Sequence, residues 1–597
     1  MKKGSLLTGK VIRLDYPNKG IVQTDEGLLE VACALPGQTV LCRVKKTRHG
    51  IGEGILKEVV APSPGEVESP CPHFSKCGGC LYQTFNYKDE LQIKEDQVKR
   101  LIEPVLGGSL NECRWESIQC SPVYEGYRNK MEFTFGDEYK DGPLALGMHK
   151  RGSMYDIVTV TGCRIADQDY SEIIRCTVDL FGSKRIPYYH RLSHVGYLRH
   201  LLVRRSRSGE LLIGLVTSTQ FGIAGSNMTM SHSEPEMMDS SDSTERETSV
   251  SLQWFGSAGE EQFVLEEYVS ALRDMEKEGR LSAEIAGIIH IVNDSVADAV
   301  KADRVDILYG CDHITEELLG LKFRITPFSF FQTNTYGAEV LYSKVRKYAA
   351  GLEVPPGGTI FDLYSGTGTI AQVMAGMNDG SAAKVVGVEI VEEAVEAARI
   401  NAAANGLTNC SFIAGDVLKV LDDLTDKPDL IILDPPREGI HPKALPKILS
   451  YGTPYIIYIS CKPTSLANDL PAFLEAGYRP LRICTVDQFP RTGNIETVCL
   501  LSKGDVKSQK LRVEFSLEDM DTDGFKKGAT YNAIRDWIKE KYGYRVTNLN
   551  IAQVKQKHGI IERENYNKPK SPDSKQPGCP EEKVKAIEDA MRHFQMI

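Results

Sequence analysis

The feature that most restricts the fold of this chain is a series of short apolar segments that alternate with helical segments from residue 359 onward. The apolar segments are TIFDLYS, AKVVGVEIV, CSFIAGDV, DLIILDPP and YIIYISC. Apolar runs of this length, separated by helices, are typical of strands that are covered on both faces in a parallel sheet. We therefore predict a doubly wound, Rossmann-like domain over residues 329–504. In such a sheet the ligand lies in the crevice outside the carboxyl ends of the strands.

The remaining residues predict three further domains, so the chain is expected to be a multidomain α/β protein. Residues 1–62 alternate short apolar runs with Gly, Asn and Asp turns, as expected for a small OB-like β-barrel. Residues 63–328 mix strand and helix patterns in a central α+β domain, and their polar stretch 222–259 predicts a disordered insertion. Residues 511–597 predict a small α+β C-terminal extension of unknown role.

Charge and hydropathy narrow the class of protein. The net charge of −10 argues weakly against a uniformly basic nucleic-acid coat, but it permits a local basic face. No segment reaches the ~18 consecutive apolar residues of a membrane span, and no apolar signal core follows the basic N-terminus. We expect a cytoplasmic monomer without membrane contact. In a reducing compartment, clustered cysteines are more readily metal ligands or catalytic thiols than disulfides.

Successive strand ends of the predicted sheet suit a nucleoside ligand. The first strand runs into Gly366-Thr-Gly368, where glycine lets the backbone turn tightly beside a ligand. The second ends in Glu389, which can accept hydrogen bonds from ribose hydroxyls, and the third ends in Asp416, placed to meet an adenine amine. The third glycine of a dinucleotide fingerprint is absent, and the fourth strand ends in Asp434-Pro-Pro. S-adenosylmethionine is therefore the favoured cofactor, with an exposed helix-capping role as the alternative for Glu389.

A candidate nucleophile, Cys461, follows the strand YIIYIS at the same rim. Lys462 beside it, or the dipole of a following helix, would favour its thiolate. A thiolate that adds to C6 of uracil gives C5 the carbanion character needed to take a methyl group, and a base must then remove the C5 proton. Glu496, in the last strand, is the candidate base, and Asp434 would hold the uracil N3–H or orient the methyl donor. A buried structural cysteine is the alternative interpretation of Cys461.

Taken together, these motifs resemble the RNA uracil-C5 methyltransferases. The resemblance covers about residues 5–502 and rests on Gly366-x-Gly368, Asp434-Pro-Pro-Arg437, Ser460-Cys461-x-Pro463 and Phe489-Pro490-x-Thr492-x-x-x-Glu496. The segment Phe330-Phe331-Gln332-Thr333-Asn334 is similar to a segment of that family, which implies that Gln332 contacts the cofactor. The expected catalytic residues are Cys461 and Glu496, and the expected cofactor-binding residues are Gln332, Tyr364, Gly366, Glu389, Asp416 and Asp434.

Three further cysteines, Cys71, Cys77 and Cys80, lie on a Gly-rich turn. Their spacing alone suits structural zinc, for which His73 could be a further ligand, as well as it suits an iron–sulfur cluster. The N-terminal barrel resembles a TRAM domain, the RNA-binding module of the 23S rRNA branch of the family, and that branch carries an iron–sulfur cluster. The resemblance therefore implies a [4Fe–4S] cluster with Cys163 as the remote fourth ligand, and zinc remains the lesser alternative.

The resemblance implies a uridine of 23S rRNA as the substrate, in a step of rRNA processing. The same chemistry on the tRNA T-loop and a non-enzymatic RNA-binding or ribosome-assembly factor are the alternatives. Cytosine-C5 methylation is disfavoured because no second cysteine accompanies Asp434-Pro-Pro. Residues 127–130, Arg199-His200 and Arg204-Arg205 resemble family segments and are expected near phosphates, with solvated strand ends as the alternative.

The chain departs from the family pattern at two positions. Lys462 stands where many members have Asn, and Asn494 stands where many have His. The first departure bears on the stability of the thiolate. The second puts in doubt any contact that the histidine makes in the family.

Overall fold

The computed structural model describes most of the chain in two compact units, Met1–Val506 and Lys507–Ile597. The described residues are 1–48, 50–222, 257–296, 302–352, 354–355, 357–377, 383–424, 426–504, 531–558 and 579–594. No helix among these residues is long and apolar enough to cross a membrane.

The first five strands form a closed barrel. They are β1 (Leu6–Asp15), β2 (Lys19–Thr24), β3 (Gly27–Ala32), β4 (Thr39–Arg48) and β5 (Ile51–Ala61), in the order β1-β2-β3-β5-β4. Alternate side chains point inward and fill the barrel with small branched residues such as Val22, Val31 and Val40. The predicted N-terminal barrel is confirmed.

A seven-stranded sheet with two helices forms the centre of the first unit. The elements in chain order are α1 (Tyr87–Leu106), β6 (Arg114–Gln119), β7 (Lys130–Asp137), β8 (Leu144–His149), β9 (Ile157–Thr159), α2 (Gln168–Ser183), β10 (Leu198–Arg205), β11 (Glu210–Thr217), α3 (Ala258–Lys277), β12 (Glu284–Val292) and β13 (Arg304–Gly310). The sheet order is β13-β12-β11-β10-β7-β8-β9, and α2 and α3 pack on it through buried aromatic side chains such as Phe181 and Tyr268.

The polar insertion predicted over 222–259 falls on residues 223–256, which lie outside the described residues. Its last residues belong to helix α3, which begins at Ala258. Ser257 caps this helix, because its side chain accepts a hydrogen bond from the Glu260 amide while the Glu260 side chain accepts one from the Ser257 amide. This capping box starts the helix inside the segment that composition alone assigned to disorder.

A second, eight-stranded sheet carries the helix–strand alternation. The elements of this region are β14 (Ile314–Leu318), β15 (Leu321–Ile325), α4 (Thr335–Ala350), β16 (Thr359–Leu363), α5 (Thr369–Ala375), β17 (Lys384–Glu389), α6 (Glu392–Ala404), β18 (Cys410–Ala414), α7 (Val417–Asp423), β19 (Leu430–Leu433), α8 (Ala444–Ser450), β20 (Tyr455–Ser460), α9 (Pro463–Glu475), β21 (Tyr478–Val486) and β22 (Glu496–Lys503). Strands β14 and β15 form a separate hairpin. The sheet order is β18-β17-β16-β19-β20-β22-β21-β6.

The sheet is covered on both faces, as the apolar runs predict. Helices α4, α5 and α6 contribute to the core on one face, and α1, α7, α8 and α9 contribute to the core on the other. Strand β16 is flanked by β17 and β19, so the strand order reverses at its carboxyl end. Such a reversal opens the crevice in which doubly wound sheets bind ligands.

Two features of this sheet differ from the sequence prediction. Strand β22 runs antiparallel to β20 and β21, so the sheet is mixed and not fully parallel. Strand β6 pairs in parallel with β21, although its residues lie in the range predicted for the central domain. Apolar runs indicate that a strand is buried, but they carry no information on its direction or on its neighbour.

The second unit contains three helices in its described residues: α10 (Tyr531–Tyr542), α11 (Asn548–Lys557) and α12 (Glu581–His593). Their buried faces meet around Ile538, Ile551 and Ile587. The strand pattern at 511–520, on which the α+β prediction for this extension depended, lies outside the described residues.

Candidate active site

Seven parallel strand ends and one strand start meet at the same rim of the eight-stranded sheet. Cys461 follows β20 directly, and Asp434 follows β19. Because β22 is antiparallel to β20, with Ser460 opposite Thr497, the first residue of β22 lies at this rim too. That residue is Glu496. The structure therefore brings Asp434, Cys461 and Glu496 to neighbouring positions on one edge.

The loop after β16 has a backbone that few residues adopt. Tyr364 has a φ of 67°, in the left-handed region that is strained for a side chain of this size, and Gly366 and Gly368 have φ of 53° and 72°. A Cβ atom on Gly368 would lie 2.4 Å from the ring of Phe412. Glycine is therefore required at Gly368 for two reasons, conformation and space.

Glu389 is hydrogen-bonded to this loop. Its Oε2 accepts from the Gly366 amide at 2.9 Å, and its Oε1 accepts from the Val391 amide at 3.0 Å. The residue that caps helix α6 is Val391, so Glu389 does not have the simple helix-capping role that was its alternative. The two amides fix the orientation of the carboxylate at the end of β17, and each oxygen can still accept from a hydroxyl.

Asp416 has a structural contact that its sequence position did not reveal. It caps the short helix α7, because its Oδ1 accepts from the Leu418 amide at 2.9 Å. It also lies near Tyr364, since burial raises the pKa of Tyr364 to about 12 and the charge of Asp416 contributes to that rise. Asp416 and Tyr364 thus border the same crevice, with one carboxylate oxygen of Asp416 committed to the helix.

Apolar side chains surround the Glu389 carboxylate and the glycine loop. Phe330, Ile390 and Val391 are 67%, 66% and 49% exposed. The Phe330 ring lies 3.9 Å from the position of a Cβ on Gly366, and its carbonyl accepts from Thr367 Oγ1 at 3.0 Å. Exposed apolar groups beside a fixed carboxylate suit a ligand with a flat ring and a polar sugar.

Gln332 lies next to the acidic residues of the rim. Its side chain is buried, accepts from Gln488 Nε2 at 3.4 Å and hydrogen-bonds with Tyr342. Burial raises the pKa of Tyr342, and the nearby carboxylates Asp434 and Glu496 raise it further. The carbonyl of Gln332 accepts from Asn129 Nδ2 at 2.9 Å, which ties this segment to the central sheet.

The surroundings of the Cys461 thiol disfavour the thiolate. It is half-buried between β20 and the first turn of α9, where Pro463 is the first helical residue. Burial raises the pKa of Cys461 to about 12, the charges of Glu496 and Asp434 add to the rise, and Arg437 opposes it. The cation that favours the thiolate is thus Arg437, and not Lys462 as its adjacency in the sequence predicted.

Glu496 is a buried acid with an unsatisfied oxygen. It is 2% exposed, and its Oε2 has no hydrogen-bond partner among the residues that the structure describes. Burial and the charge of Asp434 raise its pKa well above the usual value, and burial raises the pKa of Asp434 to about 7. Two carboxyl groups so placed cannot readily both ionise, and such perturbed acids are typical of functional sites.

Two residues that the sequence analysis did not assign to the site also border it. Arg437 Nη2 donates to Asn494 Oδ1 at 3.0 Å, which holds a cation near Cys461 and Glu496. Tyr16, from the turn after β1, is 7% exposed, and the charges of Arg437, Cys461 and Glu496 act on its pKa. The motif spacing did not indicate either contact, because both depend on how distant segments pack.

The four cysteines of the predicted metal site share one region of the central domain. Burial raises the pKa of Cys80 to about 12, and the charges of Cys163, Cys71 and Cys77 raise it further. Amide groups donate to two of the sulfurs: Gly79 N lies 3.4 Å from Cys77 Sγ, and Gln83 Nε2 lies 3.5 Å from Cys80 Sγ. His73 is engaged elsewhere, since its Nε2 lies 2.6 Å from the Thr161 carbonyl.

Within the described ranges, no group of three or more His, Cys, Asp or Glu is already arranged to hold a metal ion. The donor set itself fits a thiolate-bound group, because four cysteines interact and their sulfurs receive N–H donors, as iron–sulfur ligands do. Arg151 braces the turn by donating to the carbonyls of Phe74 and Cys80.

The structure buries three of the residues predicted to contact phosphates, Arg199, His200 and Arg204, at 2–3% exposure. Arg204 is buried, and it donates to the carbonyls of Pro327 and Ser329, so it links the central sheet to the segment before Phe330. Its neighbour Arg205 lies 3.4 Å from the Asp169 carboxylate. Arg204 thus links the two sheets of the unit, whereas Arg205 is half-buried and pairs with an acid of helix α2.

Comparison with known proteins first shows the class of enzyme to which the chain belongs. Residues 355–521 match the model of a methyltransferase domain. The chain is similar over most of its length to a solved structure, the Pyrococcus abyssi tRNA (uracil-54, C5)-methyltransferase in complex with S-adenosyl-L-homocysteine. The TM-score is 0.57, the sequence identity is 23%, and the match covers 83% of this chain and 100% of that one.

Curated relatives identify the family. An uncharacterized RNA methyltransferase of Caldanaerobacter subterraneus subsp. tengcongensis is 42% identical over 504 residues, which is 84% of this chain and 100% of that protein. An uncharacterized RNA methyltransferase of Clostridium acetobutylicum is 39% identical over 504 residues, covering 84% of this chain and 99% of that one. The chain belongs to this family, and it is an RNA methyltransferase.

Proposed function

We propose that the protein methylates C5 of a uracil in RNA, with S-adenosylmethionine as the methyl donor, Cys461 as the nucleophile and Glu496 as the base. The observation that carries the proposal is the placement of a cysteine at the end of β20 beside a buried carboxylate at the start of β22, with Asp434 next to both. A nucleophile and a general base on neighbouring strands can reach adjacent atoms of one uracil ring, with the nucleophile at C6 and the general base at C5.

The crevice at the end of β16 fits a nucleoside methyl donor. Glu389 would bind the ribose hydroxyls, Phe330 and Ile390 would flank the adenine, and Asp416 and Tyr364 would border it. Gln332 and Asp434 would face the reacting end. When bound, S-adenosylmethionine supplies an electrophilic methyl group on a positively charged sulfur.

The protein residues then have separate tasks. Cys461 Sγ forms a bond to C6 of the uracil, and the electron pair that this addition places at C5 takes the methyl group. Glu496 accepts the C5 proton, the C6–S bond breaks, and the C5–C6 double bond forms again while Cys461 leaves as thiolate. Asp434 would accept a hydrogen bond from uracil N3–H or orient the donor.

Burial in the free enzyme keeps Cys461 as a thiol and Glu496 protonated. Catalysis therefore requires that substrate binding lowers the pKa of both groups. A cationic donor in the crevice acts in this direction, because a positive charge stabilises a thiolate and a carboxylate. It adds to the lowering that the Arg437 guanidinium already exerts in the free enzyme. This makes thiolate formation dependent on the assembled complex.

Ribosomal RNA, specifically a uridine of 23S rRNA, is the proposed substrate. The support is the resemblance of the barrel to a TRAM domain and the four cysteines, which would hold a [4Fe–4S] cluster through Cys71, Cys77, Cys80 and Cys163, or zinc as the lesser alternative. Such a group would stabilise the loops around it. The T-loop of tRNA is the second candidate, favoured by the fold shared with an archaeal tRNA methyltransferase over 83% of the chain.

A trapping experiment tests the reaction. A fluorine at C5 cannot leave as a proton does, so RNA with 5-fluorouridine should remain attached to Cys461 after methyl transfer. We expect a denaturation-resistant complex with undermethylated 23S rRNA fragments in the presence of S-adenosylmethionine, with the RNA mapped to the peptide that contains Cys461. Methyl label on cytosine, or full activity of Cys461→Ala, would refute the mechanism.

Two variants separate the roles of the pair. Glu496→Gln should form the adduct on ordinary uridine but release it slowly, since the C5 proton is no longer removed. Cys176→Ala is the matched control for Cys461→Ala, because Cys176 is a half-buried cysteine like Cys461 but lies on helix α2 of the central sheet. Equal yields of 5-methyluridine from 23S rRNA and tRNA transcripts would remove the preference for ribosomal RNA.

A further inference from the structure

The seven-stranded central sheet carries a cavity that the proposed methyl transfer does not use. Its volume is about 360 Å³, within the range of about 300–1,000 Å³ found for small-ligand sites. Strands β7 and β10 contribute Phe135, Arg199 and His200 to its lining. The segment 188–192, which lies between α2 and β10, forms a wall.

This wall presents aromatic rings in a fixed arrangement. The ring centroids of Tyr188 and His190 are 4.2 Å apart, and the Arg199 guanidinium lies 4.2 Å from the ring centroid of Tyr189. The Tyr189 amide donates to the Leu198 carbonyl at 2.8 Å, which pins the wall to β10. Aromatic rings and a stacked guanidinium form the kind of surface on which unpaired nucleobases stack.

The charges of the cavity balance. Its carboxylates and cations are equal in number: Asp137, Asp141, Asp156, Lys140, Arg191 and Arg199. Two of the three histidines of the lining have a lowered pKa and are neutral. Burial lowers the pKa of His200 to about 3, with further lowering by Arg199 and Arg191, and burial and Arg191 lower the pKa of His149. A balanced, aromatic cavity suits a neutral heterocycle better than a phosphate alone.

His149 offers a defined polar atom at this cavity. Arg191 Nη2 lies 3.3 Å from His149 Nε2, and a guanidinium can only donate, so Nε2 is the acceptor and the ring proton is on Nδ1. His149 Nδ1 is buried and has no hydrogen-bond partner in the described part of the chain. Arg191 thus holds the His149 ring in place in the lining of the cavity.

The rim of the cavity is apolar and exposed. Met154, Tyr155 and Leu192 are 72%, 59% and 79% exposed. A free nucleotide inside the cavity would leave these side chains in water, whereas a polymer that crosses the rim would cover them. The occupant that fits both the cavity and its rim is one base of a longer RNA.

Strand β10 links this cavity to the methyl-transfer site. Arg199 lines the cavity, and Arg204, five residues further along the same strand, donates to the Pro327 carbonyl at 3.1 Å, just before Phe330. Five residues of a strand span about 17 Å. An RNA chain that lies along β10 would therefore contact both the cavity and the segment beside Phe330.

We propose that this cavity binds a second, unpaired nucleobase of the RNA substrate and thereby helps to select the site of methylation. The inference rests on the proposed function for the identity of the first base. It does not depend on the iron–sulfur cluster or on the order of the chemical steps.

Ultraviolet crosslinking of the full chain to RNA tests the proposal. The probes are transcripts of 23S rRNA fragments and of tRNA, and mass spectrometry identifies each linked peptide and nucleotide. We expect a link between the peptide containing Tyr188, Tyr189 and His190 and a nucleotide that is not the methylated one. Links at the methyl-transfer site without any in this peptide would overturn the proposal. A link in this peptide together with an absence of uracil methylation would overturn the proposed function alone.

Variants provide a second readout. Tyr188→Leu with Tyr189→Leu removes both stacking faces, and we expect the KM for RNA to rise about tenfold while kcat changes little. Arg191→Gln leaves the aromatic wall in place and should also raise the KM for RNA. It therefore keeps the proposal testable if the double variant folds poorly. Phe263→Leu is the control, since Phe263 is an exposed aromatic residue of α3 outside the cavity. An unchanged KM in both cavity variants would overturn the proposal, as would binding of a free nucleoside monophosphate there without any RNA link.

Discussion

Arg437 donates a hydrogen bond of 3.0 Å to Asn494, and this contact joins the loop after β19 to the loop before β22. It holds the guanidinium where its charge lowers the pKa of both Cys461 and Glu496. Asn494 stands where the resembling family often has histidine, and the contact gives this residue a task that the sequence could not supply. A side-chain acceptor, whether amide or imidazole, is what the position requires.

Asn494→Ala should therefore slow formation of the Cys461 adduct. The hydrogen bond is exposed, so its loss should cost about 0.5–1.5 kcal/mol, which corresponds to a rate about twofold to tenfold slower. Adduct formation with 5-fluorouridine RNA, followed by gel shift, measures this directly. Asn494→His should retain the wild-type rate above its ordinary pKa of about 6.5 and lose it below, since the protonated ring cannot accept from Arg437. A pH-independent Asn494→His variant would contradict this assignment.

Tyr16 is expected to be a positioning residue for the same reaction. Its hydroxyl makes no hydrogen bond to another described residue, although the side chain is buried close to Cys461 and Glu496. Tyr16→Phe should lower kcat by about threefold to tenfold, the effect of one hydrogen bond to the reacting complex, and leave Tm unchanged. Tyr82→Phe is the control, because the Tyr82 hydroxyl is buried in the same region but bonds to Gln97. Equal loss of kcat in both variants would indicate a structural role only.

The sequence predicted the strands of the catalytic domain because their side chains are buried on both faces, and burial leaves an uninterrupted apolar run. It predicted the rim positions of Asp434 and Cys461 because parallel strands end at one edge. The position of Glu496 followed for a different reason, since β22 is antiparallel and contributes its first residue.

Features that depend on packing between distant segments were not predictable. Arg204 has the sequence context of a phosphate contact, yet it is buried against the carbonyl of Pro327, 123 residues away. The pKa of Cys461 depends on two carboxyl groups that reach it from other strands, so its neighbour Lys462 was a poor guide. The cavity beside Tyr188 has no motif at all, because its lining comes from several strands and one loop.

The buried acids at the rim should make stability depend on pH. The pKa of Asp434 is about 7 in the folded chain, above its ordinary value of 3.8, and that of Glu496 is raised as well. The folded state therefore binds more protons than the unfolded state between about pH 4 and 7, and stability falls as pH rises through this window. Glu496→Gln should raise the free energy of unfolding more at pH 8 than at pH 5, because glutamine never carries the charge that burial and Asp434 disfavour.

Calorimetric Tm values at pH 5 and 8 check this expectation for the wild type and for Glu496→Gln. Glu26→Gln is a suitable control, because Glu26 is a largely exposed acid of the barrel. If the pH dependence of Tm is the same in Glu496→Gln and in the wild type, Glu496 ionises freely in the folded chain and cannot serve as a buried base.

A buried ion-pair network of the first unit should contribute strongly to its stability. Lys94 Nζ lies 2.8 Å from Glu90 and 2.7 Å from Asp487, and all three side chains are fully buried. Lys94→Met would leave Asp487 buried without its cation and Glu90 with Arg491 alone, at 3.3 Å. Removal of one partner from a buried ion pair costs about 3–5 kcal/mol. Lys99→Met is the matched control on the same helix, since the Lys99–Glu95 pair is partly exposed at 3.5 Å and should contribute less than about 1 kcal/mol.

Thermal unfolding should show a large loss of Tm for Lys94→Met, partial recovery when Glu90→Gln is added, and little change for Lys99→Met. A loss of similar size in the two lysine variants would mean that the network contributes no more than an ordinary surface pair.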